Sequence, residues 1–460
     1  MLQMTRSQLT SEVRASLTLA VPLAGAQLAQ AATGFVDTVM MGLLGGEVLA
    51  AGGLGATTFQ ACLLVSSSIV SAVSPLAASA FGAGQTREVG RVVQQGMWLA
   101  MLMTLPLMLL LAFPRPLFLW LGQSESVTVQ SAAYLQAIVW GFPAGLGFAV
   151  LRHFVSALSQ PRPVIVIMVC GTLFNIAGNY VLMFGKLGLP ALGLAGIGYA
   201  SSLSLWAMFL ALLFYCQQPR YQQYGIFQNL HVLEGRLFRE LLHVGIPIGI
   251  LTAAEAGLFT VTTFLMGQLG TVTLAAHQIA LQTAAITFMI PLGVSFATTV
   301  LVGQRLGQGD FRGAKRAGYT GMGLGVLFMA AMAMLFWTVP EAIVSLYLDI
   351  NDPANQAVVL LAEQLLGVAA MFQIVDGLQV TAVGALRGLK DTRVPMLIGL
   401  IAYWGLGLSC GYLLGLRLGY GGMGLWWGLA IGLAFAASIL TWRFSTTVLR
   451  TVTPHQRAPR

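Results

Sequence analysis

Residues 22–45 read PLAGAQLAQAATGFVDTVMMGLLG, and residues 247–270 read PIGILTAAEAGLFTVTTFLMGQLG. Each stretch opens on proline, closes on Met-Gly-X-Leu-Gly and carries one charge, Asp37 or Glu255. Each is an apolar run long enough to cross a bilayer, which takes roughly 20 residues in a helix. The match continues without a gap to Arg91 over Arg316. Leu49-Ala50-Ala51 falls on Leu274-Ala275-Ala276, and Gly82, Gly84, Arg87 and Arg91 fall on Gly307, Gly309, Arg312 and Arg316. A weaker echo pairs Ala157-Leu158 with Ala385-Leu386 and Tyr180 with Tyr412 after small shifts. The chain is therefore read as two copies of one membrane-embedded unit.

Composition agrees. Only 8% of the 460 residues are charged and 57% are hydrophobic, against about 25% charged in a soluble domain. So few charges cannot cover a water-facing globule. A soluble enzyme, a nucleic-acid-binding protein and a disordered scaffold are excluded, as is an outer-membrane barrel with its alternating strands and polar lumen. The first apolar run is too long for a signal-peptide core and lacks a cleavage site, so it is retained as a span. Cys62, Cys170, Cys216 and Cys410 lie in or beside apolar stretches without a CxxC spacing. They read as small buried hydrophobes.

Apolar runs broken by polar or glycine-rich joints predict an all-α polytopic membrane protein of twelve helices, at about 15–42, 47–80, 92–113, 128–152, 163–184, 193–217, 240–268, 272–303, 315–338, 355–386, 395–415 and 421–445. The expected lobes are 1–217 and 240–460, each of six spans, joined by a cytoplasmic linker at 218–239. Six spans insert each half the same way up, which predicts a pseudo-two-fold along the membrane normal and a cavity between the lobes, an arrangement suited to alternating access. With the N-terminus inside, only Arg115, Lys186 and Arg417 of the 23 basic residues fall outside. That bias predicts both termini in the cytoplasm. It also accounts for the net charge of +8 without a nucleic-acid partner.

Against this background three acids stand out: Asp37 in span 1, Glu255 in span 7 and Asp376 in span 10. No basic residue is expected deep in a span, so these carboxylates are read as lacking a cationic partner. An unpaired charge at mid-membrane costs about 2.5–3.5 kcal/mol even on the lenient insertion scale. Such a group must face water, bind a cation or take up a proton. Because burial disfavours the charged form of a carboxyl, a group whose exposure alternates can load and release a proton. Neither acid of the repeat is duplicated: Glu255 aligns with Gln30, and Asp37 with Thr262.

Helical spacing proposes companions for Asp37. Asn175 and Asn179 stand four apart on one face of span 5, and Ser201 lies in span 6. Their oxygens suit Na⁺ or hold a protonated acid. His277, Gln278 and Gln282 open span 8 and, with Gln30, Phe35 and Phe288, are read as candidate lining of a substrate cavity. Pro22, Pro247 and Pro291 each remove a helix hydrogen bond and are expected to permit bends.

GFVDTVMMG at 34–42, LAAHQIALQ at 274–282 and RGLKDTRVP at 387–395, on a chain of two six-span halves, resemble the multidrug and toxic-compound extrusion (MATE) family, and within it the bacterial NorM-like branch. The resemblance covers essentially the whole chain. It implies export of cationic, amphipathic drugs and dyes driven by inward Na⁺ or H⁺, from a bacterial inner (cytoplasmic) membrane, by a monomer in the lipid bilayer with no cofactor beyond the coupling ion. By position it makes Asp37 the coupling acid of the first lobe, with Asn175, Asn179 and Ser201 as its polar companions. It makes Glu255 and Asp376 the cation-binding pair of the second lobe, so that Na⁺ has candidate sites at Asp37 and at Glu255/Asp376. Phe372 stands where some relatives place a tyrosine beside the second-lobe ion, and Asn179 where some carry a second acid. The alternative, export of a lipid-linked envelope precursor, calls for a basic cavity, whereas the deep charges here are acidic. No HExxH or other catalytic constellation is present, so no enzyme activity and no catalytic residue is expected.

Overall fold

The computed structural model describes residues 6–120, 122–228 and 230–455, with side chains from residue 7 to 448. The side chains of Arg6, Arg450, Arg457 and Arg460, part of the charge bias above, lie outside the described residues. Among the described residues there is no strand, and twelve helices are long and apolar enough to cross a membrane: α1 (Ser7–Leu43), α2 (Gly46–Gly82), α3 (Thr86–Ala112), α4 (Glu125–Ala157), α5 (Arg162–Phe184), α6 (Gly193–Cys216), α7 (Gly235–Gln268), α8 (Thr271–Gly307), α9 (Phe311–Thr338), α10 (Pro353–Gly388), α11 (Arg393–Arg417) and α12 (Gly421–Val448). Several outrun the apolar run that announces them. α4 continues to Ala157 and α10 to Gly388, because backbone hydrogen bonding carries a helix past the last apolar residue into polar surroundings.

This extension corrects one expectation. Arg152 and Arg387 lie inside helices α4 and α10, with side chains only partly exposed. Arg152 donates to Gln27 Oε1 at 3.3 Å, and the charge of Arg387 reaches Glu255. At least one of the three acids therefore has a cationic neighbour.

The duplicated turns are set by glycine. Gly45 and Gly270 have φ of +112° and +115°, and Gly84 and Gly309 have +72° and +73°. Only glycine enters that region without strain, so equivalent glycines give equivalent turns. The prolines behave less uniformly. Pro22, Pro247 and Pro291 all sit within unbroken helices, contrary to simple helix breaking. The interruptions in α2, at Ser71–Ala72, and in α4, a 3₁₀ turn at Val139–Gly141, instead start four residues before Pro75 and Pro143. A proline ring meets the carbonyl of residue i−4 and withholds its N–H from it. In α2 the Ser71 hydroxyl also turns back onto the Ser68 carbonyl at 2.6 Å, which favours a bend.

α11 and α12 meet backbone to backbone through two glycine ladders, Gly407, Gly411 and Gly415 against Gly424, Gly428 and Gly432. A Cβ on Gly428 would lie 2.2 Å from the Gly411 Cα, and one on Gly424 2.5 Å from the Gly415 nitrogen. Small residues every fourth position allow such approach in a membrane, where apolar burial gives helices little reason to associate. Two stretches of α11, Ile401–Leu408 and Leu413–Arg417, are π-helical.

The chain divides into two compact units. One is Gly25–Gly249; the other comprises the described residues before Gly25 and after Gly249. The crossings at 24/25 and 249/250 are equivalent positions of the repeat. In the first unit the segment before α7 is tied to α3: Gln94 donates to the Gly225 carbonyl (2.8 Å), Gln95 to that of Val232 (3.0 Å) and Trp98 to that of Leu230 (2.7 Å). The Glu234 N–H returns a bond to Gln95 Oε1 at 3.1 Å.

Candidate functional site

In the first unit, α1, α5 and α6 close a ring of polar groups. The Asn179 amide donates to Asp37 Oδ1 at 2.6 Å and to Asn175 Oδ1 at 3.2 Å. The Asn175 amide donates to Ser201 Oγ at 3.1 Å, and the Ser201 hydroxyl donates to Asp37 Oδ2 at 3.3 Å. Asn175, Asn179 and Ser201 are buried, while Asp37 is partly exposed. Fully buried Tyr134 lies within reach of the same carboxylate's charge. The i, i+4 spacing of the two asparagines on α5 is what lets both join one ring.

The ring can serve two protonation states. With Asp37 ionised, amide and hydroxyl donors point toward it. With Asp37 protonated at Oδ2, its single proton is donated to Ser201 Oγ, which turns its own hydrogen away and still accepts from Asn175, while both Asn179 bonds stay as they are. Asn179 Oδ1 is buried without a protein partner. A buried acceptor in that state costs about 1–3 kcal/mol, a cost that a hard cation held among these oxygens offsets.

In the second unit Glu255 (α7) and Asp376 (α10) are within mutual electrostatic reach. Tyr403, fully buried, senses both and accepts a hydrogen bond from Gln379 Nε2. Arg387 completes the cluster through Glu255. Tyr403 lies in the first π-helical stretch of α11, where the neighbouring Trp404 donates to the Ala254 carbonyl at 3.1 Å, beside Glu255. A π-turn re-aims side chains and is frequent at functional sites. Tyr403, Gln379 and Arg387 were missed by the sequence reading. Gln379 stands three residues, and Arg387 eleven, beyond Asp376, so all three share one helical face. That signal was available; the π-turn left none.

The remaining candidates separate. Phe372 is buried and packs edge-on against Trp426 (5.4 Å) and Phe259 (6.2 Å), one turn before Asp376. His277 is fully buried, not part of an open lining. Its Nδ1 accepts from the Trp426 indole N–H at 3.2 Å and its Nε2 lies 3.0 Å from Thr263 Oγ1. An indole only donates, so Nε2 carries the proton and the ring is the neutral Nε2–H tautomer. Gln278, a step of about 100° around α8, is exposed with Gln282 on one face. Gln30 is exposed, Phe288 is half-buried and Phe35 is 64% exposed. Phe35 points away from Asp37, since two helical residues turn about 200°.

Comparison with known proteins adds three findings. The MatE family profile matches twice, at residues 22–181 and 247–413, starting each time at the repeated proline. The chain is 47% identical to a probable multidrug resistance protein NorM of Synechocystis sp. over 447 residues, 97% of each chain, and 43% identical to one of Pseudomonas aeruginosa, covering 95% of this chain and 90% of that one. Its fold is similar to the crystal structure of a eukaryotic MATE transporter (TM-score 0.84, 20% identity, 96% and 98% of the two chains) and to the outward-facing conformation of a multidrug resistance MATE transporter (TM-score 0.87, 16% identity, 96% of each).

Proposed function

Because the chain belongs to the MATE family of membrane transporters and is no enzyme, we propose that it is a multidrug efflux antiporter, exporting cationic amphipathic compounds in exchange for inward Na⁺ or H⁺. The observation that carries this reading is the closed ring Asp37–Asn179–Asn175–Ser201. A carboxylate inside an apolar bundle is costly, and this one sits in surroundings able to serve its charged, protonated and ion-bound forms. Glu255 and Asp376 give the second lobe its own acidic pair, with Arg387 offsetting part of the charge. Their acidity favours cationic cargo over an anionic lipid-linked precursor.

The cycle follows from competition. Drug and coupling ion seek the same negative charge. An ion arriving from outside neutralises a carboxylate and releases the drug; return of the lobes (1–217 and 240–460) to the inward state delivers the ion and reloads drug. One charge moving inward through 100 mV supplies about 2.3 kcal/mol. Exchange of one proton for one monovalent drug moves no net charge and is driven by the pH gradient alone. In this reading both termini are cytoplasmic, the membrane is the bacterial inner membrane, and Gln30, Gln278, Gln282, Phe35 and Phe288 are available to the drug. Purified protein in liposomes, with Na⁺ and pH gradients imposed separately, tests it. Dye expulsion under one of these gradients is expected; expulsion unaffected by either rules out coupled antiport.

A further inference from the structure

The repeat places Gln85, Thr86, Arg87, Glu88 and Arg91 over Asp310, Phe311, Arg312, Gly313 and Arg316. In the second half Asp310 caps α9: its Oδ1 accepts the Gly313 N–H at 2.7 Å, and its Oδ2 lies 3.6 Å from Arg305 and 3.9 Å from Arg316. Glu12 joins the same arginines at 3.4 Å and 3.8 Å. That helix start holds a carboxylate from its own chain. In the first half Gln85 stands in Asp310's place and caps nothing with its side chain. Instead, an open cleft of ≈ 760 Å³ lies there, lined by Gln85, Thr86, Arg87, Glu88, Arg91, Gln223 and Arg236.

We propose that this cleft binds a phosphate-bearing anion, the headgroup of an anionic phospholipid, at the position that Asp310 fills in the other half. The start of a 27-residue helix offers backbone N–H groups and the positive end of its dipole. Three guanidinium groups surround it. The opposing acids are Glu88, 3.4 Å from Arg236, and Glu234, 3.8 Å from Arg91. Both pairs are long, with solvent-exposed arginines and partly exposed acids; such pairs contribute little, and a phosphate, with its bidentate fit to arginine, displaces them. Arg87, Arg91 and Arg236 against Glu88 and Glu234 leave one positive charge. The neighbouring segment, tied to α3 by Gln95 and Trp98, exposes Leu230, Val232 and Leu233 next to Glu234. Apolar side chains beside a basic cleft suit a lipid tail below its headgroup.

The test uses the full-length protein, delipidated in detergent and titrated with short-chain phosphatidylglycerol, with phosphatidylcholine and with inorganic phosphate. Gln85→Asp rebuilds the carboxylate cap of the other half without removing an arginine. An Arg87→Gln/Arg91→Gln variant removes the cations and keeps the cap vacant. Phosphatidylglycerol is expected to bind the wild type and to lose at least tenfold in affinity in both variants, with phosphatidylcholine weaker throughout. Phosphate binding with the same variant sensitivity, and no preference for the lipid, assigns the cleft to the free anion and overturns the lipid assignment. Equal phosphatidylglycerol affinity in the wild type and both variants overturns the site.

Discussion

Replacing Asp37 by asparagine separates the two things the ring does. The side chain keeps its shape, so Asn179 can still donate to the new amide oxygen, and the new amide nitrogen can donate to Ser201 Oγ. What disappears is the charge. Two hydrogen bonds onto a carboxylate, at 2.6 Å and 3.3 Å, become neutral ones, each weaker by about 1–1.5 kcal/mol. Against that, the cost of holding a charge within the membrane, about 2.5–3.5 kcal/mol, is relieved. The terms nearly cancel, and Asp37→Asn is expected to unfold within about 1 kcal/mol of the wild type. Asp37→Leu removes the charge and the partners together. It leaves one Asn179 N–H and the Ser201 hydroxyl proton unanswered, at about 1–3 kcal/mol each, and is expected to be clearly less stable. Thermal unfolding in detergent ranks the three proteins; dye efflux from liposomes under imposed gradients measures coupling. The expected pattern is a stable Asp37→Asn protein without gradient-driven efflux. Full efflux by Asp37→Asn, or instability equal to that of Asp37→Leu, refutes the reasoning, because then the charge is not the working part or the ring is not what holds it.

Other consequences are equally direct. Glu255→Gln and Arg387→Gln act on charges that feel each other, so a double-mutant cycle on unfolding is expected to show a coupling of at least about 0.5 kcal/mol; strict additivity contradicts the pairing. Gly428→Leu drives a side chain into the Gly411 backbone, where even a Cβ would lie 2.2 Å from the Cα, and is expected to cost more than the 1–3 kcal/mol of ordinary overpacking, read as lost expression and a lowered unfolding temperature. Nitrogen NMR of labelled histidine is expected to find His277 as the Nε2–H tautomer. Trp426→Phe, which strips Nδ1 of its donor, is expected to lower stability by about 1–3 kcal/mol; an unchanged unfolding temperature contradicts that role.

The frame was legible because it depends on features that need no tertiary context. Apolar length marks a span, and Gly45, Gly84, Gly270 and Gly309 mark turns that only glycine makes readily. The Asp37 ring was legible because Asn175 and Asn179 advertise a shared face by spacing. The second cluster was half-hidden for identifiable reasons. Arg387 looked like loop because the apolar run ended at Leu386, yet the helix continues to Gly388. Tyr403 reaches the acids from a different helix through a π-turn, which leaves no period in the sequence. His277 and Gln278 read as one polar pair, but adjacent helical residues face different ways, and one is core while the other is surface.

The two halves agree where the backbone is constrained and differ where charge is placed. Gly45 and Gly270, and Gly84 and Gly309, are identical pairs because a turn of positive φ tolerates little else. Asp37 faces Thr262 across the repeat, and Thr262 is buried and bonded to its own helix at the Leu258 carbonyl. Glu255 faces Gln30, and Asp310 faces Gln85. At all three positions a carboxylate in one copy is matched by a neutral polar side chain in the other, at a site where the backbone is the same. A duplicated frame that kept both acids of each pair would bring six carboxylates where the chain has three, and each additional one within the membrane adds a desolvation cost that the frame itself does nothing to offset. Dividing the acids between copies keeps that cost low and gives each lobe a distinct polar cluster: a ring of amides and a hydroxyl around one acid, and two acids with an arginine and a tyrosine in the other. The two lobes are therefore expected to differ in ion affinity, so that Asp37→Asn and Asp376→Asn lower Na⁺ and proton binding, titrated on the purified protein in detergent, by different amounts. Identical losses in both titrations would mean that the two sites act as one, and that the asymmetry of the repeat has no bearing on coupling.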